Sequence, residues 1–171
     1  GRNTVLRDDP LLTVRHPNWP RKRIARIVLD AGLRLPPRAR LLSTLHRGRI
    51  IVFTNMTAPA AKKEALMKRG VEVVTLSGRG PRLDLGRVLD ELGRREIASV
   101  LVEGGGETAT AFLEGKLADK VLLTISPRLI GGTNAVSVCG GRGAASLEEA
   151  MSLKTVSTFR IGEDTVLEGY F

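Results

Sequence analysis

The stretch SVLVEGGGETATAFLEGKLAD, at positions 99–119, combines an apolar run, an acid (Glu103) and three consecutive glycines at 104–106. Helix-forming residues follow. A helix N-terminus presents unpaired N–H groups and the positive end of its dipole, and glycines let an anion approach the backbone closely. The pattern fits a phosphate cradle and a tight connection that binds no ligand equally well, and both interpretations stay open at this point. It matches neither G-x-G-x-x-G nor a Walker loop, since Lys116 is not placed like a P-loop lysine.

A second candidate is NTVLRDDPLLTVR, at positions 3–15. Pro10 disfavours helix at Asp9, so Asp8, Asp9 and Pro10 predict a turn. Two interpretations remain open for this stretch. One is a surface turn and a short edge strand with a solvated Arg15. The other is a pocket lined by paired acids, in which Arg15 clamps a phosphate.

The other chemically capable residues give weaker signals. The segment ISPRLIGG, at 125–132, indicates only a loop after a strand. His16 and His46 have side chains suited to general acids, but both lie in connections rich in proline and arginine. Cys139 is expected to be a bystander. One cysteine and two histidines allow neither an internal disulfide nor a metal-ligand cluster, so we expect no metal.

Alternating strand and helix patterns must position these residues. Strands are predicted at 25–30, 49–54, 71–76, 99–103 and 119–127, and helices at 59–70, 85–95 and 107–115. Residues 34–42 carry two prolines and predict an extended connection, and 128–143 predict a loop. Residues 152–162 and 163–171 alternate like an antiparallel pair joined near Gly162. This order predicts an α/β fold, with a mainly parallel sheet flanked by helices and an antiparallel C-terminal strand pair.

Composition bounds the class of protein. The chain has 171 residues, of which 42% are hydrophobic and 26% charged, enough for one domain with its own core. No apolar run approaches the roughly 20 residues of a membrane span, and the N-terminus does not resemble a secretory signal. We therefore expect a cytoplasmic protein without a membrane partner.

The net charge of +9 calls for a partner hypothesis. Nucleic acid is the first class to consider for a basic chain. The basic residues are scattered, however, in short clusters such as those at 21–23 and 94–95, and aromatic residues make up only 4% of the chain. A stacking platform for bases is therefore not predicted. A solvated arginine-rich surface is favoured over nucleic-acid binding, and small phosphorylated ligands fit either interpretation.

Together these stretches resemble the reductase domain of riboflavin biosynthesis. This is the dihydrofolate-reductase-like domain of the pyrimidine deaminase/reductase enzymes and of their stand-alone archaeal and fungal relatives. The matching segments run in one order over essentially the whole chain, and they are NTVLRDDPLLTVR, RIVLD, GVEVVTLSGRG, SVLVEGGGETATAFLEGKLADKVLLTISPRLIGG and FRIGEDTVLEGYF. The resemblance implies a three-layer αβα fold, a single reductase domain over 1–171 and a homodimer.

The resemblance also implies a set of site residues. Thr4 and Asp8 match contacts to NADPH near the nicotinamide and its ribose. Leu12 and Arg15 match substrate contacts, with Arg15 facing the ribose 5-phosphate, and Glu103 matches the acid that reads the pyrimidine. Ala31 falls where many relatives have serine, so a cofactor contact there must come from backbone. The positions that match the pyrophosphate-binding turn are Gly105, Gly106, Glu107, Thr108, Ala109, Thr110 and Ala111.

The reaction that the resemblance implies is hydride transfer from NADPH to C1′ of a phosphoribosylamino-pyrimidine, giving the ribitylamino product. Asp8 is the best candidate for a proton donor, beside water or the substrate's own hydroxyls. Arg79 or Asn55 are candidates for the 2′-phosphate of the cofactor. The alternatives are a paralogous NADPH-dependent reductase of another pterin- or pyrimidine-like substrate and a non-catalytic basic nucleic-acid-binding domain.

One departure from the family pattern concerns the start of the chain. Relatives begin with a strand carrying a Ser/Thr-Leu-Asp-Gly motif, then a helix and a second strand before the NTV segment, whereas this sequence begins at Gly1. We therefore expect either a truncated polypeptide or a partner that supplies the missing piece. Whether a deaminase domain precedes it, and whether the substrate pyrimidine is aminated or deaminated, stay open.

Overall fold

The computed structural model describes residues 2–18, 23–135, 137–141 and 143–171, without the side chain of Arg2. Arg21 and Lys22 of the predicted basic surface, and Val136 and Arg142 of the predicted 128–143 loop, lie outside these residues. The chain divides into two compact units, Gly1–Glu103 and Gly104–Phe171.

A parallel three-stranded sheet forms the centre of the first unit. Its strands are β1 (Arg26–Leu29), β2 (Ile50–Asn55) and β3 (Glu72–Leu76), in the order β1-β2-β3. Val28 pairs with Val52, and Val52 pairs with Val73. All six residues of β2 are buried, which is the burial expected of a central parallel strand covered on both faces.

Helices cover both faces of this sheet. They are α1 (Arg2–Asp8), the 3₁₀ helix η1 (Arg40–Arg47), α2 (Ala60–Lys68) and α3 (Leu85–Arg94). Because side chains alternate along a strand, Ile50 and Val52 pack into one core, which includes Val5 of α1, Leu41 and Leu42 of η1 and Leu66 of α2. Ile51 and Phe53 pack into a second core with Val88 and Leu92 of α3. The unit therefore has three layers.

The two helices predicted in this unit, at 59–70 and 85–95, are present with ends that differ by up to two residues. Pro59 is the N-cap of α2. The Asp84 carboxylate accepts a hydrogen bond from the Arg87 backbone N–H at 3.1 Å at the start of α3, as an N-cap aspartate is expected to do.

The second unit contains α4 (Gly106–Glu114) and an antiparallel sheet. Its strands are β4 (Lys120–Ile125), β5 (Thr155–Ile161) and β6 (Asp164–Tyr170), in the order β4-β6-β5. The predicted β5–β6 hairpin is confirmed, and Gly162 in its turn has a φ of +60°. Such a φ favours glycine. Lys120 bonds Glu168 on the neighbouring strand, and its ammonium lies 4.7 Å from the centre of the Tyr170 ring.

The α/β class is confirmed, and four details differ from expectation. Asp8, predicted to lie in a turn, is the last residue of helix α1. The parallel and antiparallel strands form two separate sheets, and β4 pairs antiparallel with β6. Residues 99–103, predicted as a strand, pair with no described strand, and Leu101 is 71% exposed. Residues 40–42 of the predicted extended connection begin η1. A strand exists only by pairing with another, and local sequence carries no information on the partner.

Candidate functional site

The N-terminal candidates lie on α1 and directly after it. Thr4 and Asp8 are four residues apart, which places them on one face of the helix. Thr4 is half-buried and Asp8, the last helical residue, is exposed. Val5, at 5% exposed, fastens the helix to the core. The helix thus presents the two predicted cofactor contacts at fixed positions on one side.

Asp9 does not pair with Asp8 to form an acidic pocket. Asp9 has a φ of +40°, outside the helix. Its carboxylate accepts a hydrogen bond at 2.8 Å from the backbone N–H of Arg40, the first residue of η1. Asp9 therefore satisfies an N–H group at the start of η1.

The 9–15 loop carries the predicted substrate contacts. Leu12 is half-buried and has a φ of +52°, a left-handed conformation that costs a non-glycine residue about 1 kcal/mol. Arg15 is exposed and forms no salt bridge with another described residue. A guanidinium in this state is available to an anionic ligand.

Ala31 lies just past the carboxyl end of β1 and is buried. Its carbonyl accepts the Thr54 hydroxyl at 2.8 Å and the Asn55 backbone N–H at 3.1 Å. The carbonyl is therefore committed to holding the ends of β1 and β2 together. A cofactor contact at this position would have to use the Ala31 N–H.

Asn55, one of the two candidates for the 2′-phosphate, is used by the protein itself. Its amide nitrogen donates to the Gly80 carbonyl at 2.6 Å, and its amide oxygen accepts from Thr57 N–H at 2.9 Å. The Met56 N–H donates to the Gly78 carbonyl at 3.1 Å. These bonds hold the 77–82 loop at the carboxyl edge of the parallel sheet, where ligands of such sheets bind.

Arg79 is the exposed side chain that this loop carries between its two anchor points. Neither Arg79 nor Arg82 forms a salt bridge with another described residue, and both are exposed. The loop is thus fixed while its guanidinium groups face solvent. This arrangement suits capture of a phosphate outside the sheet edge.

Gly105 and Gly106, at the start of α4, have different surroundings. A Cβ on Gly106 would lie 2.9 Å from the Gly140 backbone nitrogen, so the chain's own 137–141 loop occupies that side. A Cβ on Gly105, the N-cap, would meet nothing within 4 Å. The close approach predicted from the glycines is made by protein backbone at Gly106, whereas the side of Gly105 is open to a ligand.

Residues 107–111 continue into the helix with differing exposure. Glu107 is exposed, Thr108, Ala109 and Ala111 are half-buried, and Thr110 is buried. The Thr110 methyl packs against Gly141, where a Cβ would lie 2.7 Å away. The Thr110 hydroxyl is buried without a hydrogen-bond partner among the described residues. A buried hydroxyl without a partner costs stability unless water or a bound group satisfies it.

Glu103 is the last residue of the first unit and is exposed. The site candidates therefore divide between the two units, with α1, the 9–15 loop, Ala31 and Glu103 in the first and α4 in the second. Among the residues described, no group of three or more His, Cys, Asp or Glu side chains is arranged to hold a metal ion. None of the described helices has the length and apolarity of a membrane span.

The strongest electrostatic cluster lies at the opposite, amino edge of the parallel sheet. Arg49 holds Glu72 in a bidentate pair at 2.6 and 2.9 Å, and Arg95 contacts the same carboxylate at 2.6 Å. The hydrogen bond from Arg49, followed by the charges of both arginines, lowers the pKa of Glu72. This cluster joins β3 to α3 and serves structure.

Sequence reasoning missed the roles of two buried polar residues, one in β1 and one directly after it. Arg26 is 2% exposed and Asp30 is 1% exposed. They lie on the same face as Val28, since side chains two apart share a face of a strand. Asp30 accepts the Leu35 N–H at 2.7 Å, and Arg26 bonds backbone at the end of η1. The sequence signal for these two buried residues was an arginine and an aspartate at the two ends of one apolar run.

Comparison with known proteins places the chain in a family. Residues 1–167 match the family model described as RibD C-terminal domain. The riboflavin biosynthesis protein RibD of Actinobacillus pleuropneumoniae is 37% identical over 168 residues, which cover 98% of this chain and 44% of that protein. The 2,5-diamino-6-ribosylamino-4(3H)-pyrimidinone 5′-phosphate reductase of Methanothermobacter thermautotrophicus is 33% identical, with coverage of 98% and 76%.

A solved structure supports the same fold. Acinetobacter baumannii RibD, form 2, superposes with a TM-score of 0.80 at 23% identity, covering 99% of this chain and 45% of that one. The chain therefore spans less than half of the length of these RibD proteins. It belongs to the RibD C-terminal domain family, and its sheets and helices form the αβ fold expected from the sequence.

Proposed function

We propose that this chain is an NADPH-dependent reductase of riboflavin biosynthesis. Its substrate is a 5-phosphoribosylamino-pyrimidine, and its product carries a ribitylamino side chain. The observation that carries the proposal is the family match over residues 1–167, together with relatives named as pyrimidinone phosphate reductases. The described residues contain the groups that such a reaction requires.

The start of α4 fits a dinucleotide pyrophosphate. Gly105 leaves open space on one side. The Thr108 and Ala109 N–H groups already donate to the Gly105 carbonyl, so the N–H donors that we assign to the pyrophosphate are those before Thr108. The buried Thr110 hydroxyl is a further donor without a partner among the described residues. The Glu107 carboxylate would repel a phosphate, so Glu107 contributes its backbone N–H. In the first unit, Thr4 and Asp8 are the residues that we assign to the nicotinamide and its ribose.

The substrate is held by residues of the first unit. Arg15 pairs with the ribose 5-phosphate, Leu12 packs against the substrate and Glu103 accepts hydrogen bonds from the pyrimidine. Two hydrogen bonds to a carboxylate, or a guanidinium against a phosphate, give orientation as well as affinity. These contacts bring C1′ to the face of the nicotinamide, and such positioning is the protein's main contribution to hydride transfer.

When bound, NADPH would supply hydride to the C1′ carbon of the ring-opened imine. The imine π electrons would become the nitrogen lone pair, and the nitrogen would then need a proton. Asp8 is the side chain we assign to deliver that proton, directly or through water, since it is exposed at the end of α1.

Preference for NADPH over NADH is assigned to Arg79. Asn55 is excluded from this role because both ends of its amide bond the protein. The same bonds hold the 77–82 loop at the sheet's carboxyl edge, so Arg79 can meet a 2′-phosphate without ordering the loop.

The test is a calorimetric titration of the chain with NADPH and NADH, followed by NADPH oxidation with the phosphoribosylamino-pyrimidine. Tighter binding of NADPH and turnover of the pyrimidine are expected. A folded protein that binds neither nucleotide, or oxidises no NADPH with this substrate, would refute the proposal. Gel filtration tests the homodimer, and cell fractionation tests the cytoplasmic location that we propose with it.

Two other functions remain as outcomes of the same experiments. A paralogous reductase of another pterin- or pyrimidine-like compound would bind NADPH without reducing the riboflavin precursor. A basic nucleic-acid-binding domain, which the net charge of +9 alone would allow, would bind DNA or RNA with an affinity that falls steeply with salt. The relatives' names favour the reductase over both.

A further inference from the structure

Arg26 is a buried cation that pairs with no carboxylate among the described residues. Its Nη2 donates to the carbonyls of Thr44 and Gly48 at 2.8 and 2.7 Å, and its Nη1 donates to the Thr44 hydroxyl at 2.6 Å. Burial lowers the pKa of Arg26, yet a guanidinium stays charged in proteins. The carbonyls at the end of η1 carry the negative end of a helix dipole and compensate this charge.

The same guanidinium reaches the 9–15 loop. Nη1 also lies 3.3 Å from the Leu11 carbonyl, in hydrogen-bonding geometry. Leu11 directly precedes Leu12, which has a φ of +52°. This left-handed conformation costs a non-glycine residue about 1 kcal/mol, so other contacts must hold Leu12 in it. Arg26 therefore connects the strained point of the loop to the end of η1.

The loop has a second anchor at the other end of the same helix. Asp9 bonds the Arg40 N–H at the start of η1, and Arg26 ties Leu11 to its last turn. The backbone at 9 and 11 is thus held at both ends of η1, which has a kink at Thr44 between the two anchors. η1 is fixed in turn by Leu41 and Leu42, which are buried in the core.

We propose that Arg26 is a positioning residue for the substrate-binding loop, acting through the Leu11 carbonyl to place Leu12 and Arg15. The proposal rests on the proposed function for the role of Leu12 and Arg15. Arg26 itself lies beneath the loop and touches no substrate. Only a planar guanidinium group reaches all of these acceptors, because its Nη1 and Nη2 atoms donate to carbonyls and a hydroxyl in different directions.

The expected kinetic effect is selective. In Arg26→Lys the charge is kept and the fork is lost, so the KM for the pyrimidine rises by about tenfold, which corresponds to ~1.4 kcal/mol. The kcat falls less. The dissociation constant for NADPH stays within about twofold of the wild type, a change of under about 0.5 kcal/mol in binding free energy. A general loss of folding would instead lower the apparent kcat and the fraction of protein that binds NADPH, without a selective rise in KM.

Asp9→Ala provides a second variant that leaves Arg26 in place. It releases the other anchor of the loop and removes no buried charge, so it should fold and raise the same KM. Thr44→Val is the matched control, because it removes one acceptor of Arg26 while leaving the bond to Leu11. It should lower stability with little change in KM.

Amide hydrogen exchange at residues 10–15 is the readout that does not depend on turnover. Faster exchange there in Arg26→Lys and Asp9→Ala, with the raised KM and without change in Thr44→Val, supports the proposal. Unchanged exchange, or faster exchange with an unchanged KM, overturns it. If the wild type reduces no pyrimidine, the proposed function fails, while the exchange data still decide whether Arg26 positions the loop.

Discussion

Gly106 and Gly140 meet backbone to backbone. A Cβ on Gly106 would lie 2.9 Å from the nitrogen of Gly140, and a Cβ on Gly140 would lie 3.0 Å from the nitrogen of Glu107. The 137–141 loop therefore packs against the first turn of α4 at a distance that only glycines permit. Beside it, Gly105 has open space, so neighbouring glycines serve two different purposes.

Substitution of these two glycines separates folding from cofactor binding. We expect Gly106→Ala to displace the 137–141 loop and lower the free energy of unfolding by about 1–3 kcal/mol, as overpacking does. Gly105 has a φ of −65°, which alanine also adopts. Gly105→Ala should therefore leave the free energy of unfolding within about 1 kcal/mol of the wild type. Gly105→Ala should nevertheless weaken NADPH binding about tenfold, by ~1.4 kcal/mol.

Urea denaturation and NADPH titration of both variants provide the measurements. Equal effects of the two substitutions on stability would contradict the assigned difference between the glycines. Unchanged NADPH affinity in Gly105→Ala would place the pyrophosphate elsewhere.

Arg15→Ala should affect substrate and not cofactor. Loss of a charged hydrogen bond is worth about 1.5–3 kcal/mol, so kcat/KM for the pyrimidine is expected to fall by roughly ten- to a hundredfold. The NADPH dissociation constant should not change. Arg47→Ala, at another exposed arginine of the same unit, is the control for loss of one positive charge. A similar loss of activity in that control would make the effect of Arg15 one of net charge.

Arg79→Ala should remove discrimination between the two nucleotides. The expected result is a roughly tenfold weaker NADPH complex, again ~1.4 kcal/mol, with NADH binding unchanged. Parallel titrations of both nucleotides measure the ratio. Arg82→Ala in the same loop is the matched comparison, and a larger effect of Arg82 than of Arg79 would reject the assignment of Arg79.

The Glu72 cluster should make stability depend on pH. The pKa of Glu72 is lowered in the folded state, chiefly by the hydrogen bond from Arg49, so the stabilisation is complete above its unfolded pKa of about 4.3. It is lost as pH falls through the lower folded value. Glu72→Gln should cost about 0.5–1 kcal/mol at pH 7, the range of a partly exposed pair.

Urea midpoints of the wild type and Glu72→Gln, measured at neutral pH and in acid below the folded pKa, check this sign. The difference between the two proteins should shrink in acid and also at high salt, which screens exposed pairs. A difference that grows as pH falls would show that Glu72 is not stabilised as its carboxylate.

Local sequence determined much of this protein. The apolar runs predicted β1, β2 and β3, Asp84 and Pro59 marked helix starts, and the alternation after residue 152 predicted the β5–β6 hairpin. The glycine turn before α4 and the family were also readable, because caps, periodicity and glycine-rich turns depend on neighbours in sequence.

Tertiary structure decided what the sequence left open. Residues 99–103 have the composition of a strand but no described partner. Asn55 has a side chain fit for a ligand, yet it holds the 77–82 loop, and Gly106 receives the protein's own backbone. Arg26 reads as one more surface arginine until η1 and the 9–15 loop close around it. Each of these outcomes depends on residues distant in sequence, and only folding brings their hydrogen-bonding groups within about 3 Å.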